Sequence, residues 1–172
     1  LDLARIANGA HLAVDAGHCR TEQGFAAVGA AEDVALAEDG DFALLPTQRD
    51  AWLVQLKVLA ASLKGLTGGL FLEFNIPRMG RRIDAVVLVG PVVFVVEFKV
   101  GESAFDRAAM DQVWDYALDL KNFHEASHSV SIVPVLIATG ATVSAPLELH
   151  ADEDRLYRPL PVPPASFREA ID

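Results

Sequence analysis

The feature that most constrains the fold is a pair of apolar segments, residues 82–89 and 92–98, on either side of a Gly-Pro turn. Both are rich in β-branched residues, which favours two consecutive buried strands. Asp84 lies near the start of the first segment, and Glu97 and Lys99 lie at the end of the second. A charge in such a setting costs free energy unless it is paired or bound to a metal. The chemistry of the chain is therefore to be sought at these charges.

Composition favours one globular domain and excludes several classes of protein. The chain has 172 residues, 52% of them hydrophobic, which is enough for a proper core. Its longest uncharged apolar run, Ala85 to Val96, is shorter than the roughly 18 residues that a membrane span needs. The single cysteine, Cys19, excludes an internal disulfide and favours a reducing compartment. Because the first residues lack a secretory-signal pattern, the cytoplasm is the expected location.

The charge balance argues against a general polyanion-binding surface. Lysine and arginine number 14 against 24 aspartates and glutamates, a net charge of −10. Contact with nucleic acid would therefore have to be local or bridged by metal ions. Arg78, Arg81 and Arg82 form a small basic cluster just before Asp84, and arginine suits recognition of phosphate. An ordinary solvated turn explains the cluster equally well.

Periodicity predicts an α/β domain in which helices flank a mixed sheet. We expect a helix over about 48–64, a strand over 70–76, a helix over about 104–123 capped by Ser103, and a strand over 131–138. Pro134 within that last strand indicates a bulge or an edge position.

Three regions follow from this reading. Residues 1–46 are an N-terminal extension of short helices and loops, and residues 47–144 are the core. Residues 145–172 are a tail rich in proline and charge, expected to lead to a further domain.

The charged residues of the hairpin form a candidate metal site. Residues two apart on a strand point to one face, so Glu97 and Lys99 project together and the turn can bring Asp84 alongside. Carboxylates are hard oxygen ligands suited to Mg²⁺ or Mn²⁺, and the backbone carbonyl of Phe98 could add another. Lys99 could serve an attacking water or a phosphate. The alternative is a plain salt bridge between Asp84 and Lys99 at the end of the sheet.

The following helix offers a second polar pair. Gln112 and Tyr116 are four residues apart and so share one helical face, expected to lie opposite the apolar stripe through Val113. They could steady Lys99, a ligated water or a phosphate. The alternative is an ordinary amphipathic surface.

In their order, Asp84, Glu97-Phe-Lys99 and Gln112-x-x-x-Tyr116 resemble the motifs of the PD-(D/E)xK nuclease superfamily, and the last pair resembles its RecB-like branch. The sequence around these motifs, from Ile76 to Asp84 and from Asp111 to His124, also resembles a nuclease-like segment found before Schlafen-type P-loop helicase domains. The resemblance covers roughly residues 47–140. Within the chain no Walker-type phosphate loop appears, so any helicase lies outside it.

The resemblance implies a restriction-endonuclease-like αβββαβ core, one or two divalent ions (Mg²⁺ or Mn²⁺), and cleavage of DNA or RNA, with DNA favoured. Asp84 and Glu97 match the family's metal ligands, Lys99 its catalytic lysine, and Gln112 and Tyr116 its supporting pair. The family often has an acid or histidine on the helix before the strands. Here the nearest glutamate, Glu73, falls on a strand and is a candidate extra ligand.

Two other readings compete with the nuclease. A binding or regulatory module of the same fold that has lost activity would suit the net charge. The segment His124-Glu-Ala-Ser-His128 satisfies the zinc-peptidase pattern, with Glu148 or His150 as a third ligand, but it falls where a helix should end. A zinc set of His11, His18 and Cys19 is a weak signal because it lacks a CxxC pair.

Overall fold

The structure is a computed structural model that describes residues 13–15, 18–20, 46–76, 80–143 and 146–172, with side chains described from residue 49 onward. The helices in this part of the chain are α1 (Pro46–Leu63), α2 (Arg107–Phe123) and α3 (Phe167–Ile171). The strands are β1 (Ala13–Asp15), β2 (His18–Arg20), β3 (Gly68–Ile76), β4 (Arg81–Val89), β5 (Val92–Lys99), β6 (Ser131–Ala138) and β7 (Leu160–Val162).

A five-stranded mixed sheet organises the fold, in the order β3-β4-β5-β6-β7. The pairs β3–β4 and β4–β5 are antiparallel, whereas β5–β6 and β6–β7 are parallel. A parallel pair needs a crossover, and α2 supplies it between β5 and β6. From α1 to β6 the elements follow the order αβββαβ, so the predicted α/β class and its core order are confirmed.

Both faces of the sheet are covered by buried side chains. On one face the leucines of α1, including Leu59, pack with Phe167 of α3; on the other, Val113 and its neighbours on α2 pack against the strands. Strand β5 feeds both clusters alternately, with Phe94 on the α1 face and Val95 on the α2 face. Coverage of both faces explains why β5 reads as an almost continuous apolar run.

The predicted elements agree with the observed ones within a few residues, but the cap of α2 differs. Ser103 was the expected N-cap, whereas Asp106 holds that position and accepts a hydrogen bond from the backbone N–H of Ala109 (2.8 Å). Ser and Asp are both good N-caps, so the pattern alone does not separate them. The residues before Ser103 are used in a turn, since Glu102 donates its N–H to the Lys99 carbonyl (3.3 Å).

The last strand, β7, was not predicted. Residues 160–162 pair with β6 from Val135 onward, and Phe167 after them is fully buried. The expected edge position for Pro134 is therefore an inner strand, where Val95 is its partner on one side. On the other side a bridge at Ile132 and the start of β7 pairing at Val135 leave a gap that tolerates its missing N–H.

The N-terminal extension is described only at β1 and β2, which pair antiparallel, with β2 lying against β3. The other predicted features of residues 1–45 lie outside the described residues. Among the described helices, none combines the length and apolar character that crossing a membrane requires.

The end of β5 is tied to the end of β6 by hydrogen bonds. Thr139 donates its N–H to the Lys99 carbonyl (3.1 Å) and accepts one from the Gly101 N–H at its hydroxyl (2.7 Å). Gly140 donates to the Glu102 carbonyl (2.8 Å). A Cβ on Gly140 would meet that carbonyl oxygen at 3.0 Å. These bonds fix the backbone that carries Lys99.

We therefore expect Gly140→Ala to destabilise the protein by about 1–3 kcal/mol, because the colliding atoms are backbone and cannot move aside cheaply. Chemical denaturation followed by circular dichroism measures this. Val143→Ala, at a side chain exposed to solvent on the same segment, is the control and should change stability little. Equal effects of the two substitutions would contradict the close approach.

Candidate active site

Asp84 lies where the pairing of β4 with β5 ends. Ala85 pairs with Val96, so Asp84 and Glu97 come next along the two strands, on the same face of the sheet. Beyond this point the Asp84 side chain replaces the backbone pairing, because its Oδ2 accepts a hydrogen bond from the Phe98 N–H (2.9 Å). This bond holds the carboxyl group at the junction of the two strands, beside Glu97.

Glu97, Lys99, Gln112 and Tyr116 form one hydrogen-bond network. Lys99 Nζ donates to Glu97 Oε1 (2.9 Å) and to Gln112 Oε1 (2.9 Å). Gln112 Nε2 donates to Glu97 Oε1 (3.0 Å) and to the Tyr116 hydroxyl (2.7 Å). The ion pair of Lys99 is thus with Glu97 on its own strand, and the plain Asp84–Lys99 salt bridge considered from the sequence is absent from the described contacts.

Gln112 and Tyr116 lie beside the buried stripe of α2 and not on the opposite face, which the sequence had predicted. Tyr116 is 9% exposed and packs in the same cluster as Val113 and Ala117. Successive helical residues are about 100° apart, so Gln112 and Val113 can both face the sheet. The expectation of an opposite face was wrong because it treated neighbouring positions as facing apart.

One oxygen of Glu97 has no partner among the described residues. The side chain is 7% exposed, and its Oε1 receives both hydrogen bonds of the network. Its Oε2 is buried and accepts none. A buried polar atom without a partner carries a desolvation penalty, and such an atom in a native fold needs an explanation. A divalent cation beside this oxygen would supply one.

The residues present fit such a cation to a limited degree. Glu97 Oε2 and the Asp84 carboxylate are hard oxygen donors at one sheet end, as Mg²⁺ and Mn²⁺ prefer. In the described part of the chain, no group of three or more His, Cys, Asp or Glu side chains is arranged to hold a metal. The ion would therefore be held by two carboxylates, with backbone carbonyl or water completing its shell. That is an ordinary arrangement for Mg²⁺.

Electrostatics favours a positive charge at this point. Burial, together with the neighbouring Asp84, raises the pKa of Glu97 to about 7, although Lys99 opposes the shift. Burial also raises the pKa of Asp84, against the Phe98 N–H and the charges of Lys99 and Arg82. Two carboxylates forced together out of water hold protons more tightly, and a bound cation would reverse that preference.

The basic cluster pairs with acids of the same chain. Arg81 Nη1 lies 3.4 Å from Asp115 Oδ2 and 3.3 Å from Asp119 Oδ2, both on α2. Arg82 Nε pairs with Glu73 Oε2 on β3. These pairs were not predicted, although Asp115 and Asp119 are four residues apart, as Gln112 and Tyr116 are. Contact of Arg81 and Arg82 with nucleic acid stays a prediction, and Arg78 lies outside the described residues.

The zinc-peptidase pattern is not set on a helix. Helix α2 ends at Phe123, His124 is its C-cap, and Glu125–Ser127 form a 3₁₀ turn. The two histidines therefore do not share the single α-helical face that the signature requires. His150, a candidate third ligand, lies 3.3 Å from Glu148 in an exposed pair.

The side chains of the other zinc candidates, His11, His18 and Cys19, lie outside the described part.

Comparisons with known proteins add a remote structural similarity. No protein-family model matches the chain, and no curated protein matches its sequence. The crystal structure of the small subunit of the heterodimeric restriction endonuclease R.BspD6I is similar, with a TM-score of 0.40 and 9% identity. The match covers 84% of this chain and 75% of that one. A similarity of this size carries no argument about the site or its activity.

The bond between Asp84 and the Phe98 N–H gives a prediction about stability. Asp84→Ala should destabilise the protein by about 1–3 kcal/mol, because it leaves that N–H without an acceptor. Asp84→Asn keeps a side-chain oxygen and should lose less. Urea denaturation of both variants measures the difference. Equal loss in the two variants would contradict the role of the bond.

The raised pKa of Glu97 predicts how stability depends on pH. From its ordinary value of 4.5 up to about 7, the folded state holds a proton that the unfolded state has released. The free energy of unfolding contributed by Glu97 therefore falls as pH rises through this window. In metal-free buffer the melting temperature of the wild type should fall more steeply with pH than that of Glu97→Gln. Parallel curves would refute the shift.

Proposed function

We propose that this chain is a metal-dependent nuclease that hydrolyses phosphodiester bonds in nucleic acid, with DNA as the expected substrate. The observation that carries the proposal is the buried Oε2 of Glu97 beside Asp84, which has no hydrogen-bond partner among the described residues. The other oxygen of the same side chain is held by Lys99 and Gln112. A carboxylate with one oxygen fixed and the other available can act as a monodentate metal ligand.

In this proposal Asp84 and Glu97 hold one Mg²⁺ or Mn²⁺, with the Phe98 carbonyl as an additional ligand. Such an ion lowers the pKa of a bound water and neutralises phosphate charge. Lys99 is fixed by Glu97 and Gln112 at the edge of the carboxylate pair, where its ammonium group can orient the attacking water or stabilise charge on the phosphate.

Gln112 and Tyr116 support the site without touching the reacting atoms. Gln112 holds Lys99 with its oxygen and Glu97 with its nitrogen, so it fixes the relative positions of a cation and an anion. The Tyr116 hydroxyl accepts the second N–H of Gln112 and thereby orients the amide. Such outer partners commonly change metal affinity or activity by about 10- to 100-fold when they are removed.

The resemblance to segments that precede Schlafen-type helicase domains supports a wider proposal, in which the chain is the nuclease module of a helicase-containing protein. The second candidate function is a catalytically silent binding or regulatory module of the same fold. The net charge of −10 and the internal pairing of Arg81 and Arg82 favour it, since both weaken the attraction of phosphates.

A cleavage assay separates the two candidates. The protein is incubated with single- and double-stranded DNA and RNA in Mg²⁺, Mn²⁺ or EDTA. Cleavage should require the metal and should fall by about 100-fold or more in Lys99→Met and Asp84→Asn. Asp84→Asn is preferred to alanine because it keeps an acceptor for the Phe98 N–H. Lys64→Met, at an exposed position after α1, is the matched control and should retain activity.

Metal-independent cleavage, or equal cleavage by Lys99→Met and Lys64→Met, would refute the nuclease. Binding of DNA without cleavage under every metal condition would support the silent module.

A further inference from the structure

Arg81 links helix α2 to the strand that carries Asp84. It is the first residue of β4, and its Nη1 lies 3.3 Å from Asp119 Oδ2 and 3.4 Å from Asp115 Oδ2. Asp119 is a buried residue, with only 12% of its side chain exposed. A carboxylate in such a position has lost hydration and depends on a partner. The pair with Arg81 therefore matters more here than an ion pair at the surface would.

The buried acid of this pair lies on the same edge of α2 as Gln112. Asp119 follows Gln112 by seven residues, which is about two helical turns or about 10 Å along the axis. Residues at that spacing lie on nearly the same side of a helix. Gln112 binds Lys99 and Glu97 of β5. Asp119 binds Arg81 of β4. Helix α2 is therefore tied by polar contacts to both strands of the carboxylate pair.

These directional contacts fix a rotation of α2 that apolar packing determines less closely. Val113 and the other buried residues of the helix pack on the sheet through the hydrophobic effect, which is non-directional. A rotation of the helix about its axis would separate Arg81 from its acids and would move Gln112 away from Lys99. Loss of the Arg81 ion pairs should therefore loosen the amide that holds Lys99.

The charges around Arg81 argue against its other predicted role, contact with nucleic acid. Two carboxylates face this one guanidinium, so the group as a whole is negative. A phosphate that approached the guanidinium would be repelled by the second carboxylate and would have to displace contacts already made. Binding to the two acids of α2 satisfies the arginine without either cost.

Resting on the proposed function, we propose that Arg81 is a positioning residue of the nuclease site. Through its two acids it sets the rotation of α2, so that the Gln112 amide holds Lys99 beside the carboxylate pair. Arg81 itself touches neither the substrate nor the metal ion. The next residue, Arg82, has a separate partner in Glu73 of β3, which adopts a left-handed φ of +53°. The proposal therefore concerns Arg81 alone.

Hydrogen exchange of the Gln112 side chain tests the inference without substrate or metal. Its Nε2 protons are donated to Glu97 and Tyr116, and their exchange is followed by ¹⁵N nuclear magnetic resonance. In Arg81→Met they should exchange about tenfold faster than in the wild type, whereas the backbone amides of β6 should keep their rates. Arg107→Met removes an exposed arginine that is paired within α2. It is the matched control and should change neither rate.

Steady-state kinetics on a DNA oligonucleotide that the wild type cleaves give a second readout. Arg81→Met should lower kcat by about tenfold with little change in KM, and Asp119→Ala should lower kcat in the same way. Arg81→Lys should recover part of the loss. An arginine that bound phosphate would give a different pattern. Its loss would raise KM with kcat unchanged, and Asp119→Ala would lower KM by freeing the arginine.

Wild-type exchange rates at Gln112 in a folded Arg81→Met, or the KM pattern of a phosphate contact, would overturn the inference and leave the nuclease proposal intact. Equal acceleration at Gln112 and in β6 would also overturn it, because it would show a general loss of stability. Absence of cleavage by the wild type would overturn the nuclease proposal, while the exchange rates would still confirm or refute the control of Gln112 by Arg81. Asp119→Ala replaces Arg81→Met in both measurements if that variant does not fold.

Discussion

The buried carboxylate of Glu97 is the constraint on which the rest of the site depends. Strand alternation directs it toward α2, against a layer of mainly apolar side chains. Within the described part of the chain, one of its oxygens is hydrogen-bonded and the other is not. A glutamate so placed is a poor choice for stability alone, because burying a carboxyl group is unfavourable and half of its capacity for hydrogen bonding is unused. The hydrogen bonds from Lys99 and Gln112 reduce this penalty for Oε1 only. That asymmetry distinguishes the arrangement from an ordinary buried ion pair.

Helix α2 matters because its Gln112 completes the hydrogen bonding of Glu97 Oε1. Its apolar residues fix its distance from the sheet, and Gln112 then meets both Lys99 and Glu97 through the two ends of one amide. Arg81 adds a tether from the start of β4 to Asp115 and Asp119, on the same side of the helix. The position of the helix along the sheet is therefore fixed by polar contacts as well as by packing. A small slide of α2 would break both sets of contacts together.

The sequence predicted the strands and helices well because their apolar patterns are long and regular, as in the run from Ala85 to Val96. Strand periodicity also predicted that Glu97 and Lys99 would project together. Helix periodicity alone wrongly favoured the face opposite Val113 for Gln112, whose contact with Lys99 had been considered only as one thing that the side chain could do. The sequence could not predict the pairing of Arg82 with Glu73, since this depends on a left-handed residue inside a strand for which no glycine signals the need. Strand β7 was missed for a different reason. A strand of three residues that includes Pro161 is too short to give a periodic signal. It forms because the free edge of β6 offers it backbone pairing.

The burial of Phe167 has a consequence for how the chain acquires its structure during synthesis. The last motif residue is Tyr116. The hydrophobic layer over the α1 face of the sheet, however, also needs Phe167, which is fully buried in it and is made 51 residues later. A ribosome must therefore release the chain beyond residue 167 before that face is closed. Until then the sheet carrying Asp84 and Glu97 has one unfinished surface. A gene fragment trimmed to the motif-bearing region would leave that surface permanently open and prone to association with other chains.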